Sequence, residues 1–280
     1  MHSNQSNAAA IRAFRVLELL AKAGSMGLMQ IANSLQLPKQ TVHRILKTLC
    51  DAQLVVRNVD GQGYECGARV RHMSVTLLMH SGEATARHAV LRKLGERIGE
   101  TVNLTVLDGD EIVYLDRVET DFPLRMHLQP GSHVPVHCTS SGKLLLSLQP
   151  TALRNRIVEA LPLRKMTDAT ISDPVQLRQE LIETRKRRIG INNQEFIQGM
   201  VSIAVPVMRD AYRAWAAVAV QAPVVRSDIA GLLEYLPALR EAAAAIAAMV
   251  PSAPPRKRST QTSFENEATG FSIEPTRTFS

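Results

Sequence analysis

Leu28-Met29-Gln30-Ile31-Ala32-Asn33-Ser34-Leu35-Gln36-Leu37-Pro38-Lys39-Gln40-Thr41-Val42-His43-Arg44-Ile45-Leu46-Lys47-Thr48-Leu49 reads as two helices joined by a tight turn. The first runs from about Met29 to Leu35, with Ile31 and Leu35 on one face. Pro38 stands where the next helix begins, and its missing N–H has no partner in a first turn anyway. That helix runs to about Cys50. Val42, Ile45, Leu46 and Leu49 form an i, i+3, i+4, i+7 stripe that must face a core. The opposite face then carries Lys39, Gln40, His43, Arg44 and Lys47, with Thr41 near its start. These side chains suit a DNA major groove. Arginine grips guanine through two bonds, glutamine pairs with adenine, and lysine and threonine hold phosphates. One bidentate contact supplies ~1–3 kcal/mol of base discrimination. A merely solvated basic face is the competing reading, and the surroundings weigh against it.

Working outward, Ile11, Phe14, Leu17, Leu20 and Ala21 recur at helical spacing and predict a helix over about Ala8–Ala23. Ser6 or Asn7 would cap it, and Gly24 follows its end. Downstream, Leu54–Arg57 and Gly63–Cys66 read as short strands around the turn Asn58–Gln62, whose Asp60-Gly61 is a strong hairpin signal. Helix, short helix, turn, helix, hairpin is the order of a winged helix-turn-helix. Arg57 is the wing's charged candidate for the DNA backbone or minor groove. The chain carries 33 Lys+Arg and 26 Asp+Glu, formally +7. Nine of the basic and four of the acidic residues lie in positions 1–80, while positions 81–250 hold twenty and nineteen. The excess therefore sits where the helix-turn-helix does, which points to a polyanionic partner.

At 280 residues the chain predicts two domains. Helical patterns over about Ala68–Met79 and Ala84–Ile98 flank a break at Ser81-Gly82. Strands follow at Val102–Val106, Ile112–Leu115 and Leu124–Leu128. Helices cover about Ser140–Leu148, Thr151–Ala160 and Pro174–Arg188; strands return near Gly190–Gln194, Val201–Val207 and Ala214–Gln221, before a last helix from about Ser227 to Met249. Strands close in sequence predict an antiparallel α+β domain. Positions 251–280, rich in Pro, Ser and Thr, read as a disordered tail. No apolar run approaches membrane-spanning length, and Met1–Asn7 has no signal-peptide character, so a cytoplasmic, non-membrane protein is expected. Cys50, Cys66 and Cys138 are too few and too scattered for a disulfide framework or a CxxC metal site.

Two strands suggest a ligand site. Along Val201–Val207, Val201, Ile203, Val205 and Val207 share one face, and Ser202, Ala204 and Pro206 the other. In Ala216–Gln221, Ala216, Val218 and Val220 oppose Ala217, Ala219 and Gln221. If these strands pair, the small face is either a pocket floor, with Ser202 and Gln221 as its polar points, or the seat of a close-packed helix. Other chemistry finds less support. Ser140-x-x-Lys143 matches a serine acyl-enzyme motif, but its S-D-N and K-T-G partners are missing. His133 and His137 lack a third ligand, and Cys138 beside His137 points the other way in an extended segment. No cofactor or metal is implied.

The chain resembles the IclR-type bacterial transcriptional regulators. The resemblance rests on Leu28–Leu49, on Val134-Pro135-Val136-His137-Cys138-Thr139-Ser140-Ser141-Gly142-Lys143, and on Gln194–Val207, and it spans about positions 8–250. It implies a winged helix over 8–68, a linker helix over 69–85 and a GAF-like effector-binding domain over 86–250. It also implies operator binding as a dimer or a dimer of dimers, repression or activation, and control by a small organic or aromatic acid. Carried over by position, Ser140 and Ser141 supply backbone donors to the effector, and Met126 and Leu128 an aliphatic wall. Asn192, Met200, Ser202, Ala219 and Gln221 complete the site. Ser202 replaces a cysteine common in the motif, and Asn192 is neutral where some members are acidic. An enzyme with an accessory helix-turn-helix and a protein-docking adaptor stay open as alternatives.

Overall fold

The computed structural model describes residues 2–58, 61–120, 128–211 and 213–249. The tail, the expected strand around Met126 and the wing tip at 59–60 lie outside them. The first unit comprises α1 (His2–Ala23), α2 (Leu28–Leu35), α3 (Lys39–Asp51), β1 (Val55–Arg57) and β2 (Tyr64–Cys66). β1 and β2 pair antiparallel, and Met26 bridges to Tyr64, so the stretch between α1 and α2 joins the wing. Val16, Leu20, Ile31, Val42, Leu46, Leu49 and Val55 form its core. Each large aliphatic side chain buried in this core contributes roughly 1.5–3 kcal/mol. Gln36 takes a left-handed conformation (φ 53°), which ends α2 and turns the chain into Pro38.

Helix α1 departs from expectation twice. It starts at His2, so Ser6 and Asn7 lie inside it rather than capping it. Its buried stripe is Ala13, Val16, Leu17 and Leu20, while Ile11 and Phe14 are 63 % and 61 % exposed. Two overlapping stripes satisfy helical spacing in this segment, and packing on α2 and α3 selects one of them.

Helices α4 (Ala68–Met79) and α5 (Glu83–Ile98) lead into a six-stranded antiparallel sheet. Its strands are β3 (Thr101–Asp108), β4 (Glu111–Val118), β5 (His133–Pro135), β6 (Gly190–Asn193), β7 (Met200–Met208) and β8 (Ala214–Pro223), in the order β5-β4-β3-β8-β7-β6. No sequence pattern marks the three-residue β5. One face carries α5 with α9 (Ile229–Leu233) and α10 (Leu236–Met249); the other carries α6 (Ser140–Ser147), α7 (Thr151–Ala160) and α8 (Pro174–Arg187). The expected continuous last helix is thus two. Proline at 237 lacks an N–H and would clash with a carbonyl four residues back, so it is tolerated only in the first turn of a new helix.

The last two long strands do pair, with Ser202 opposite Gln221, Ala204 opposite Ala219 and Val205 opposite Val218. Bulky side chains of β7 and β8 meet α5 and α10. The small face, with Ala204, Ala217 and Ala219, receives Leu144 and Leu145 of α6. Both readings of that face are therefore realised. The body of α6 sits on it, and the residues beyond Ala219 floor a cavity.

A candidate effector cavity and an exposed basic helix

Two glycines let α6 begin where it does. A Cβ on Gly190 would stand 1.9 Å from the Ser140 carbonyl oxygen, and one on Gly142 would stand 2.1 Å from that of Val136. Only bare backbone allows β6 and the 136–139 turn to approach the helix start so closely. Lys143 N–H makes the first intrahelical bond, to Thr139 O at 3.0 Å. Thr139 is the N-cap residue, but its side chain makes no cap bond and its hydroxyl donates to Pro135 O at 2.9 Å. The amides of Ser140, Ser141 and Gly142, which no helix carbonyl serves, are left at the positive end of the helix.

Beside this helix start lies a cavity with about 360 Å³ of space, its open mouth included. Six of the nine expected effector residues line it: Ser140, Ser141, Asn192, Ser202, Ala219 and Gln221. Met200 lines an adjoining hollow, about 210 Å³ with its open mouth included, that shares Asn192, Ser202 and Gln221. Leu128 packs half-buried in the cluster around α6 and is not part of either wall. Met126 lies outside the described residues. Sequence reasoning missed Asn103 and Thr105 on β3, Tyr114 on β4, and Phe196. The signal for the first two was present: they alternate with Val102, Leu104 and Val106, but only the β3–β8 pairing sets Asn103 beside Gln221 and Thr105 opposite Ala217.

Polar groups in the cavity are ordered by one another. Asn192 accepts from Glu195 N–H at 2.8 Å and donates to Ser202 Oγ at 3.3 Å; Ser202 donates to Ser140 Oγ at 2.9 Å. Asn103 donates to Gln221 Oε1 at 3.3 Å, and Gln221 Nε2 is buried without a partner. A buried donor left unpaired costs about 1–3 kcal/mol, so a ligand acceptor there would recover it. Burial raises the Tyr114 hydroxyl above its ordinary pKa despite Arg117 nearby, which keeps it protonated.

Behind the helix start, Lys143 is 2 % exposed and donates to both carboxylate oxygens of Glu195, at 2.6 and 2.8 Å, with Glu180 at 3.4 Å. Burial pushes Glu195 up, and Lys143 only partly counters it. Burial also pushes Glu180 up, but Lys143 and Arg187 outweigh it and hold its carboxyl below the usual range. The ammonium of the Ser140-x-x-Lys143 motif is thus engaged by two carboxylates. Cys138 is fully buried and its thiol is pushed up to about 12, chiefly by desolvation, which makes it a poor nucleophile. His137 bonds the Arg164 carbonyl and His133 bonds Glu111; among the described residues no cluster suits a metal ion.

In the first unit, α3 buries Val42, Leu46 and Leu49 and leaves Lys39, Gln40, His43, Arg44 and Lys47 exposed, with Thr41 half-buried. Arg57 is exposed on β1, its guanidinium 5.4 Å from the Tyr64 ring centre. No described helix is long and apolar enough to cross a membrane.

Fold and sites together define a helix-turn-helix DNA-binding protein that carries a cavity-bearing α+β domain. Family models agree over most of the chain: the IclR helix-turn-helix domain matches residues 9–58, and the C-terminal domain of bacterial transcriptional regulator IclR matches 77–248. The chain belongs to the IclR family of bacterial transcriptional regulators. It is 56 % identical over 242 residues to the "Probable transcriptional regulator SauR" of Cupriavidus necator, covering 86 % of this chain and 96 % of that one. Among solved structures, the IclR protein of Thermotoga maritima superposes with a TM-score of 0.58 at 26 % identity, covering 85 % of this chain and 97 % of that one. The inducer-binding domain of the transcription factor PobR from Acinetobacter, a double mutant in complex with 3-hydroxybenzoic acid, superposes with a TM-score of 0.55 at 26 % identity. It covers 59 % of this chain and 98 % of that domain.

Proposed function

We propose that this chain reads an operator with α3 and that a small organic or aromatic acid in the α6 cavity sets its affinity for that operator. The observation that carries the effector reading is the uncapped start of α6, whose amides border the same cavity as the unpaired Gln221 Nε2. Free N–H groups and the helix dipole favour an anion. The acid held by the PobR inducer-binding domain supports that class.

The reader residues are Lys39, Gln40, Thr41, His43, Arg44 and Lys47, with Arg57 contacting the backbone beside the wing. Unit boundaries at 8–68, 69–85 and 86–250 follow this division of labour. The DNA-binding form is a homodimer or a dimer of dimers; exposed Ile11 and Phe14 on α1, with Met73 and Leu77 on α4, support a second copy of this chain as partner. Bound acid acts by population shift: it favours one arrangement of α4 and so one spacing of paired reader helices. An acid that bound both arrangements equally would shift nothing.

A thermal-shift screen of small organic acids on the whole chain tests this reading. At least one acid stabilises the wild type and leaves Ser141→Trp unmoved; uniform silence across the screen rejects the effector site.

A further inference from the structure

Simple alternation along β4 would give Arg117 the same face as Val113 and Leu115, toward α5 and α10. The pairing shows otherwise. Thr105 is opposite Tyr114 and Leu104 is opposite Asp116, so β4 carries one extra residue between them. Beyond this bulge Asn103 is opposite Arg117, and both side chains face the cavity side of the sheet. Re-aiming a side chain is what a bulge does.

The consequence is a directed relay. Arg117 is a donor only, and its NH1 donates to Asn103 Oδ1 at 3.0 Å. With its oxygen so occupied, Asn103 must turn its amide nitrogen to Gln221, which answers with Oε1. Gln221 is 6 % exposed, and its remaining group, Nε2, is the unpaired donor at the cavity. Arg117 itself does not line the cavity; it also bonds Glu119 at 3.1 Å and lies 5.9 Å from the Tyr114 ring centre.

We propose that Arg117 is a positioning residue for effector specificity, which through Asn103 fixes the Gln221 amide with its N–H toward the ligand and so selects a carboxylate over its neutral amide. The inference rests on the effector reading above and adds to it a residue two hydrogen bonds from the ligand. The two ends of a free glutamine amide are nearly isosteric, so without the relay Gln221 offers either a donor or an acceptor.

The experiment is isothermal titration of the whole chain with benzoate and benzamide, and with the smaller pair acetate and acetamide. Wild type prefers the acid of at least one pair. In Arg117→Met the acid-to-amide affinity ratio drops by about tenfold, one hydrogen bond's worth, and Arg117→Lys restores it. Asn103→Asp keeps a partner for Arg117 but can only accept from Gln221, so it turns Gln221 Oε1 toward the ligand. Its ratio falls by about 100-fold, with benzamide or acetamide binding better than to wild type. Circular dichroism melts of each variant check folding. If the variants fold and the ratio of Arg117→Met and Asn103→Asp matches wild type, the relay is wrong and the cavity reading stands. If neither member of either pair binds wild type, the carboxylate selectivity assigned to this relay falls, while the acid screen decides the cavity reading separately.

Discussion

Replacing Lys143 with methionine isolates the ion pair that anchors the start of α6. The ammonium is 2 % exposed, and the Glu195 side chain that grips it is 9 % exposed. Truncating one partner of such a pair leaves a buried charge, at about 3–5 kcal/mol. That is a large share of the roughly 5–15 kcal/mol that holds a domain folded. Glu180 adds less, because Arg187 still holds it at 2.7 Å. The single tryptophan, Trp215, lies half-buried on β8, so its fluorescence in a urea titration reports this domain and not the winged helix. The expected loss for Lys143→Met is about 3 kcal/mol or more, and Lys143→Met with Glu195→Gln costs clearly less than the two single losses added. The deficit also depends on pH. Burial raises Glu195 in the folded state, so its neutral form is favoured there. Stability in the methionine variant is therefore best below the ordinary glutamate pKa and is lost as pH rises through the raised one. A loss under about 1 kcal/mol, as for an exposed pair, or strict additivity would refute the reasoning.

Arg44→Ala weakens binding to the chain's own promoter DNA by about 1–3 kcal/mol and leaves the melting curve unchanged; Lys47→Ala lowers the salt dependence of binding by about one unit of slope. Gly190→Ala drives a Cβ into the Ser140 carbonyl, so thermal shifts with acid vanish while promoter binding in a gel-shift assay persists. His137 is held below its ordinary pKa by burial, with Lys143 adding to it and the Arg164 carbonyl opposing. Its contribution to stability is present above the ordinary histidine pKa and is lost as pH falls through the lowered one; His137→Gln flattens that acid limb in melts between pH 7 and pH 5, on the order of the ordinary value.

Much of this architecture was legible in one sequence because its signals are local. The stripe Val42, Ile45, Leu46, Leu49 predicts both the core face and the exposed basic face of α3, since helix period alone decides them, with Ile45 half-buried at its edge. The alternation in 201–207 and 216–221 likewise predicts a bulky and a small sheet face, and pairing bears it out. What escaped was non-local. Asn103 and Thr105 reach the cavity only because β3 neighbours β8, which no turn between them announces. Arg117 reaches Asn103 only through a bulge, a one-residue slip with no composition signal. Ile11 and Phe14 misled because two helical stripes overlap, and only tertiary packing chooses between them.

If α3 reads DNA and the α6 cavity sets how tightly, mutation separates the two activities. Fluorescence anisotropy of the labelled promoter fragment, titrated with wild type, Arg44→Ala and Ser141→Trp, each with and without the acid found by thermal shift, tests it most directly. Acid changes the wild-type affinity; Arg44→Ala shows the same change from a weaker baseline, and Ser141→Trp binds like wild type with or without acid. Identical wild-type curves with and without saturating acid would contradict it.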